Sequence, residues 1–454
     1  MNGLLAHGIA GVRDLPVPEW LFLYGAAIVL VVSFVALGIL WRRPLLERHA
    51  GGRPLPPSAQ RILLSPAVRA LLGGTSFLLL VLVGAACFFG AGSSALNIAP
   101  TFVYVAFWIG LVPFVVVLGD IWPALNPWKA AADGVAWISE RAGAESQPLF
   151  RYPERLGRWP AAILLLLFAA LELAYFEPAN PRALGLAILV YSAVMWIGAT
   201  AFGREAWFAN GDAFTVYFGF LATLAPFAVR TDADGRRMVV VRWPLTGATQ
   251  LDPRPGTIAV VAVMLGSVGF DGLSRIAWWQ DRRFELALET QGWSDLAGTL
   301  MNLGGLVLCV LAVAGAYLLA VAAARRLADA ESSLAGQFVG SLIPIALVYA
   351  ISHYFTALIV QGQALIPLAS DPFGRGWDLF GSADRGVDLA PLSANAVWYV
   401  QVVSLVAGHV AGLAIAHDRA VALFPPNRAL RSQYPLLALM VIYTVGGLWL
   451  LSRQ

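Results

Sequence analysis

Apolar residues fall along this chain in long unbroken blocks, not in the two-residue alternation of half-buried strands. Ten blocks stand out: 20–40, 69–91, 100–121, 159–176, 182–202, 256–279, 298–324, 336–361, 393–416 and 434–451. A helix needs roughly 20 such residues to cross a bilayer. An eleventh block, 213–228, is shorter and carries Pro226 near its end. The pattern predicts an all-α protein, a polytopic transmembrane helix bundle of about ten crossings. It forms a single integral membrane domain over 1–454.

Whether 213–228 crosses decides the direction of everything after it. Cytoplasmic loops collect Lys and Arg. With 213–228 as a half-helix or re-entrant element on the cytoplasmic side, inner loops hold 22 basic residues and outer segments 7. With it as a crossing, the counts become 17 and 12. The first arrangement obeys the rule better and leaves both termini extracytoplasmic. Trp41-Arg42-Arg43-Pro44 closes the first block with a basic flank of the same sense. The N-terminal stretch lacks a basic segment leading into a short apolar core, so it does not read as a cleavable signal peptide.

Two stretches on that inner side look alike. Gly119-Asp-Ile-Trp-Pro-Ala-Leu-Asn126 and Gly203-Arg-Glu-Ala-Trp-Phe-Ala-Asn210 each place Asn seven residues after Gly, with a Trp between, before a new helix. Asn126 with Pro127 makes a good cap and first turn, and Asp212 can cap the next helix. An old duplication and two similar helix starts at a membrane surface both fit. The helix predicted over 127–142 mixes Lys129, Asp133, Glu140 and Arg141 with Trp128, Val135, Trp137 and Ile138, an interfacial amphipathic pattern. The loop 362–392 is the longest on the outer side. Its Gly, Pro and aromatic residues suit a lid, and a plain connector fits equally.

Composition sharpens this picture. Charged residues are 13% of the chain, against about 25% in soluble domains, and mean hydropathy is +0.72. Cys87 and Cys309 lie inside apolar blocks, so neither a disulfide framework nor a Cys-based metal site is indicated. The basic residues are 29 Arg and one Lys, Lys129, a bias that fits genome composition better than a chemical demand. No nucleic-acid signature is present. The partners the chain implies are the lipid bilayer and additional subunits of a membrane complex.

Polar residues at membrane depth carry the functional signal. Asp271 and Arg275 sit inside the block 256–279, four apart on one helix face, where they can neutralise each other. A charge in hydrocarbon costs about 3 kcal/mol or more, so such residues face a protein interior or a wet cavity. The topology places His353 and Tyr354, Gln361 and Gln363, Glu172, Tyr104 and Gln401 at the same outer level. Residues from five helices sharing one depth predict a polar cavity open to the extracytoplasmic side. Asp271, Arg275 and His353 are its candidate catalytic groups. Tyr354, Gln361, Gln363, Gln401, Glu172 and Tyr104 would line it. Each also has a plainer reading: a self-neutralised ion pair, interhelical hydrogen bonds, or, for Glu172, a side chain reaching to the interface.

The five histidines argue against haem. His353 and His409 are offset by roughly 12 Å along the membrane normal, too far to share one iron. His409 and His417 are more than two helical turns apart, and His49 lies in a polar loop. No His-x-x-x-His or Cys-x-x-Cys spacing occurs. The exception is His7. If the chain were processed after Ala6, its amine and imidazole together could bind copper. No other cofactor is indicated.

Several segments resemble a family of bacterial polytopic membrane proteins labelled fenitrothion hydrolase. They are His7-Gly8 to Asp14-Leu-Pro-Val-Pro, Asn126-Pro-Trp-Lys-Ala, Phe202-Gly-Arg-Glu-Ala-Trp, Ser352-His-Tyr-Phe with Gln361-Gly-Gln, and Leu430-Arg-Ser-Gln-Tyr-Pro. The likeness runs along nearly the whole chain. It implies a multi-pass protein of the bacterial inner membrane and a membrane-bound complex that hydrolyses an organophosphorus triester. Such chemistry uses a metal-activated water or a strong nucleophile. Here either a partner completes the site, or Asp271 acts as base while His353 and Arg275 steady the phosphoryl oxygen. A transporter or permease for a small charged substrate, and a membrane anchor for partner subunits, are the alternatives.

Overall fold

The structure is a computed structural model, and it describes residues 18–143, 147–232, 234–331 and 333–452. The principal helices are α1 (Glu19–Leu40), α2 (Pro66–Phe89), α3 (Ile98–Leu118), α4 (Pro127–Arg141), α5 (Trp159–Leu173), α6 (Pro181–Phe202), α7 (Arg204–Asn210), α8 (Ala213–Ala222), α9 (Thr257–Arg275), α10 (Ala277–Glu289), α11 (Ser294–Leu327), α12 (Ile343–Gln361), α13 (Ala394–Leu423) and α14 (Pro426–Ser452). Among the described residues, nine helical segments are long and apolar enough to cross a membrane. The fold is an all-α bundle of a multi-pass membrane protein.

Local chemistry sets many of the helix starts. Asn97, Asn126, Asn180, Asp212 and Ser393 each accept a hydrogen bond from a first-turn backbone N–H. Pro66, Pro127 and Pro181 occupy first-turn positions, where no amide hydrogen is missed.

The ends of the helices define two faces. Trp41 and Leu46, just past α1, donate to Asp418 near the end of α13. On the same face lies a three-stranded antiparallel sheet, in which β1 (Arg53–Pro54) and β2 (Phe227–Thr231) flank β3 (Arg237–Val241). Its register pairs Arg53 and Phe227 with Val241. On the opposite face, Ala91 and Ile98 donate to Phe373 and Pro372. Both described ends of the chain lie on this second face.

Burial ranks the helices. In the most apolar window of α1, 17% of residues are buried, whereas the values are 67% for α9 and 61% for the segment containing α12. Helices α9 and α12 are therefore central. The outer helices expose Ile28, Val32, Leu78, Leu189, Leu308 and Ile442. An apolar outer surface of that kind suits lipid or other membrane helices and not water.

Three of the predicted blocks need correction. The block 256–279 is two helices: α9 stops at Arg275, and Ile276 is extended (ψ 148°) before α10 starts. The helix in 213–228 ends at Ala222, because Phe227 already enters the sheet. Helix α5 is only 15 residues long, or about 22 Å, short of the ~30 Å hydrocarbon core. Helix α4 pairs its charges with α7: Lys129 reaches Glu205 at 2.6 Å and Asp133 meets Arg204 at 3.0 Å. Its Val135, Trp137 and Ile138 point outward. The 362–392 stretch begins with short helical turns through Ser370. Its hydrogen bonds then run to the 89–98 loop and the end of α12.

The two similar stretches meet inside the bundle. Gly119 (φ +89°) and Gly203 (φ +85°) both take backbone conformations that side chains disfavour. Each turn feeds a short helix and then a capped one, and the caps touch: Asn126 Nδ2 donates to Asp212 Oδ2 at 2.6 Å. Tyr191, midway along α6, donates to the same carboxylate. The N-termini of α4 and α8 thus meet beside the middle of α6. A Cβ on Gly119 would lie 2.4 Å from the Phe227 carbonyl oxygen. Gly119→Ala is therefore expected to destabilise the protein by about 1–3 kcal/mol. A lowered thermal midpoint of the detergent-purified protein is the check, and an unchanged midpoint would show that the turn relaxes.

Candidate functional site

The centre of the bundle gathers the charged residues that the apolar blocks enclose. Asp271 stands one turn before the end of α9. Arg275 donates from Nε (3.0 Å) and Nη2 (2.8 Å) to its Oδ1. His353, brought in by α12, places Nε2 against the other oxygen, Oδ2. The side chains of Asp271 and His353 are each 5% exposed, and that of Arg275 is 29%. The carboxylate is thus held between two partners, each on its own oxygen. The i, i+4 pair and the shared depth of His353 were both legible in the sequence, and the structure brings all three together.

A second acid lies beside this group. Tyr354 follows His353, and its ring meets the imidazole edge-on at 4.8 Å between centroids. Glu172, near the end of α5, lies within interaction reach of Tyr354, Asp271 and Arg275. Glu172 therefore belongs to the cluster and does not reach for the interface. Tyr217 of α8 and Tyr104 of α3 also lie within its reach. Tyr104 donates to the Pro178 carbonyl at 2.9 Å, which secures the turn into α6. Tyr217 was missed by sequence reasoning. Its signal was the unusual apolarity of a helix too short to cross.

The other predicted lining residues divide. Gln401 locks α13 to α12: its Nε2 donates to the Ser352 carbonyl at 2.7 Å, and Ser352 Oγ donates back to the Gln401 carbonyl at 3.0 Å. It thereby fixes the backbone next to His353. Gln363 instead pairs with Asp388, holding the 371–392 loop. Gln361 ends α12, two turns beyond His353, and is half-buried away from the cluster. Neither glutamine lines the site. His417 bonds Gln433 and the Trp41 carbonyl, a helix-end latch. His409 is buried against Tyr349. Among the described residues, no three of His, Cys, Asp and Glu converge to hold a metal ion. His7 lies outside the described residues.

The cavity differs from the expected polar one. Beside the cluster is a chamber of about 200 Å³, lined by Trp108, Ile109, Val112, Ala350, Tyr354 and Leu358, among others. Its walls are almost wholly apolar, and Tyr217 and Tyr354 supply its hydroxyls. One wall comes from a π-helical run, Phe102–Ile109, inside α3. Such widened turns are rare and recur at functional sites. The charged groups are packed closed behind Tyr354, so the site pairs a buried acid–base cluster with an apolar chamber.

Comparison with protein-family models, curated proteins and solved structures returns no match for this chain.

Proposed function

We propose that this multi-pass membrane protein is an enzyme, or the membrane subunit of one, in which the Asp271–His353 pair performs acid–base chemistry on a neutral, apolar substrate held in the adjoining chamber. The observation that carries this reading is the bond from His353 Nε2 to Asp271 Oδ2, one residue from a chamber-lining tyrosine. A carboxylate on one imidazole nitrogen fixes the tautomer and leaves the other nitrogen basic. Here Nε2–H donates to Asp271, and Nδ1 is the base. Arg275 keeps the pair neutral while the histidine is unprotonated.

The chamber restricts the substrate. Its lining offers little to a charged solute, and both Asp271 oxygens are already bonded. A neutral ester suits it, and an organophosphorus triester is the class implied by the resemblance to the fenitrothion hydrolase family. With the Tyr354 side chain swung aside to open the chamber to His353, water would lose a proton to the imidazole as it attacks phosphorus, and the leaving group would take that proton as its bond breaks. The face opposite the sheet, where both described ends lie, is the extracytoplasmic side of a bacterial inner membrane in this reading.

A transporter reading rests on a separate observation, the meeting of two half-helix N-termini at Asn126 and Asp212. Broken helices of that kind occur in transporters. Proteoliposomes given a chromogenic neutral phosphotriester separate the two. Hydrolysis is expected from the wild type, with loss of about 10²–10⁴-fold in His353→Gln. Absence of hydrolysis by the wild type, or full activity in His353→Gln, would sink the enzyme reading.

A further inference from the structure

A second cavity, of about 470 Å³, opens at the sheet-bearing face between α4, α7, α8 and the segment 247–252. It shares no residue with the Asp271 cluster. Three cations line it: Lys129, Arg158 and Arg242. Three carboxylates line it too, and one of them is paired with Lys129 itself. Glu205 accepts from Lys129 at 2.6 Å, and Asp252 accepts from Arg254, outside the cavity, at 2.6 Å. The third, Asp120, has its carboxyl pushed up to about 7 by burial, against the lowering pull of Arg237, so its charge is only partial at neutral pH.

The two guanidiniums are held differently. Arg242 donates to the carbonyls of Ala222, Thr223 and Ala225, closing the C-terminus of α8. Arg158 donates to the Asp252 carbonyl and to Thr257 Oγ1, and its Nε is buried with no partner. Carbonyls and hydroxyls satisfy donors but do not cancel a full charge. Burial pushes both pKa values down only to about 10, so both stay protonated at neutral pH. An orphaned buried donor in a native protein calls for an explanation such as an ordered water or ion, and it marks Arg158 as incompletely satisfied by the protein.

Lys129 adds an independent sign. It is the one lysine in a chain with 29 arginines, and its side chain is only 8% exposed. Its ammonium stands between Glu205 and Asp133 while still lining the cavity. A compact ammonium on a flexible stem is a common phosphate binder, acting as a point charge.

We propose that this cavity binds a phosphate group, carried either by an anionic lipid headgroup or by a free phosphorylated compound, between Lys129, Arg158 and Arg242. Its size falls in the ordinary range for small ligands, about 300–1,000 Å³. Basic pockets between helices at a membrane face suit phosphorylated headgroups, and the cavity mouth equally admits a soluble ligand.

The test uses the full protein in phosphatidylcholine nanodiscs, with and without phosphatidylglycerol, titrated with inorganic phosphate. Saturable phosphate binding that weakens about tenfold in Arg158→Gln and in Lys129→Gln assigns the free source. Stabilisation by phosphatidylglycerol alone, abolished by the same substitutions, assigns the lipid source. Either result supports the site. If the folded wild type responds to neither, or if both variants respond as the wild type does, the proposal is overturned. Arg158→Lys, which keeps the charge, should retain most of the binding, and equal loss in that variant would also count against it.

Discussion

Asp271→Ala is expected to destabilise the protein by about 3–5 kcal/mol, the cost of breaking a buried ion pair from one side. The substitution costs Arg275 both of its bonds to Oδ1 and His353 its Oδ2 partner. Asp271→Asn keeps the shape and one acceptor, so its loss should be smaller, while the tautomer of His353 is no longer fixed by a carboxylate. The measurement is unfolding of the purified protein in mixed micelles, beside ester hydrolysis by the same samples. We expect Ala to lose both stability and activity, and Asn to lose activity in excess of stability. If Asn is as active as the wild type, the pair is an ion pair and nothing more.

Asp212→Ala should be comparably severe, with a loss on the order of 3–5 kcal/mol. This carboxylate is fully buried and takes four donors: Asn126 Nδ2, Tyr191 Oη, Thr215 Oγ1 and the Phe214 backbone N–H. Each orphaned donor costs about 1–3 kcal/mol, softened where water enters. Because the same group joins α4 to α8, its removal should also loosen Tyr217 and the chamber wall behind it. A large fall in thermal midpoint with increased protease sensitivity near residues 203–212 is expected. A near-normal midpoint would mean that the two half-helices do not depend on each other.

The sequence made the core of this site readable for a physical reason. A charge in an apolar block is costly wherever it sits, so Asp271 and Arg275 announce themselves without any knowledge of packing. Loop charges then gave depth, and depth joined His353 and Glu172 to them. Depth carries no azimuth, however. Gln361 and Gln363 share the outer level, yet Gln361 stands at the very end of α12 and Gln363 bonds the 371–392 loop. The apolar chamber was illegible for the same reason. Ala350, Ile351, Tyr354, Phe355 and Leu358 form one flank of α12, and nothing in an apolar block says which flank faces a void.

The π-helical run hides in a block that reads as ordinary helix. The sheet was hidden differently. Phe227-Ala-Val-Arg-Thr and Arg237-Met-Val-Val-Val flank an Asp-Gly pair, a hairpin signal in its own right. Reading 213–228 as one apolar block absorbed the start of the first strand and masked it.

The most direct test of the central claim fills the chamber without touching the charged cluster. Ala350 lines the cavity, and Ala350→Phe should occupy it while leaving Asp271, Arg275 and His353 in place. The account predicts a thermal midpoint equal to or above that of the wild type, together with at least a tenfold loss of ester hydrolysis in proteoliposomes, about 1.4 kcal/mol in barrier. Wild-type hydrolysis by a folded Ala350→Phe protein would contradict the claim that substrate reaches the Asp271–His353 pair through this chamber.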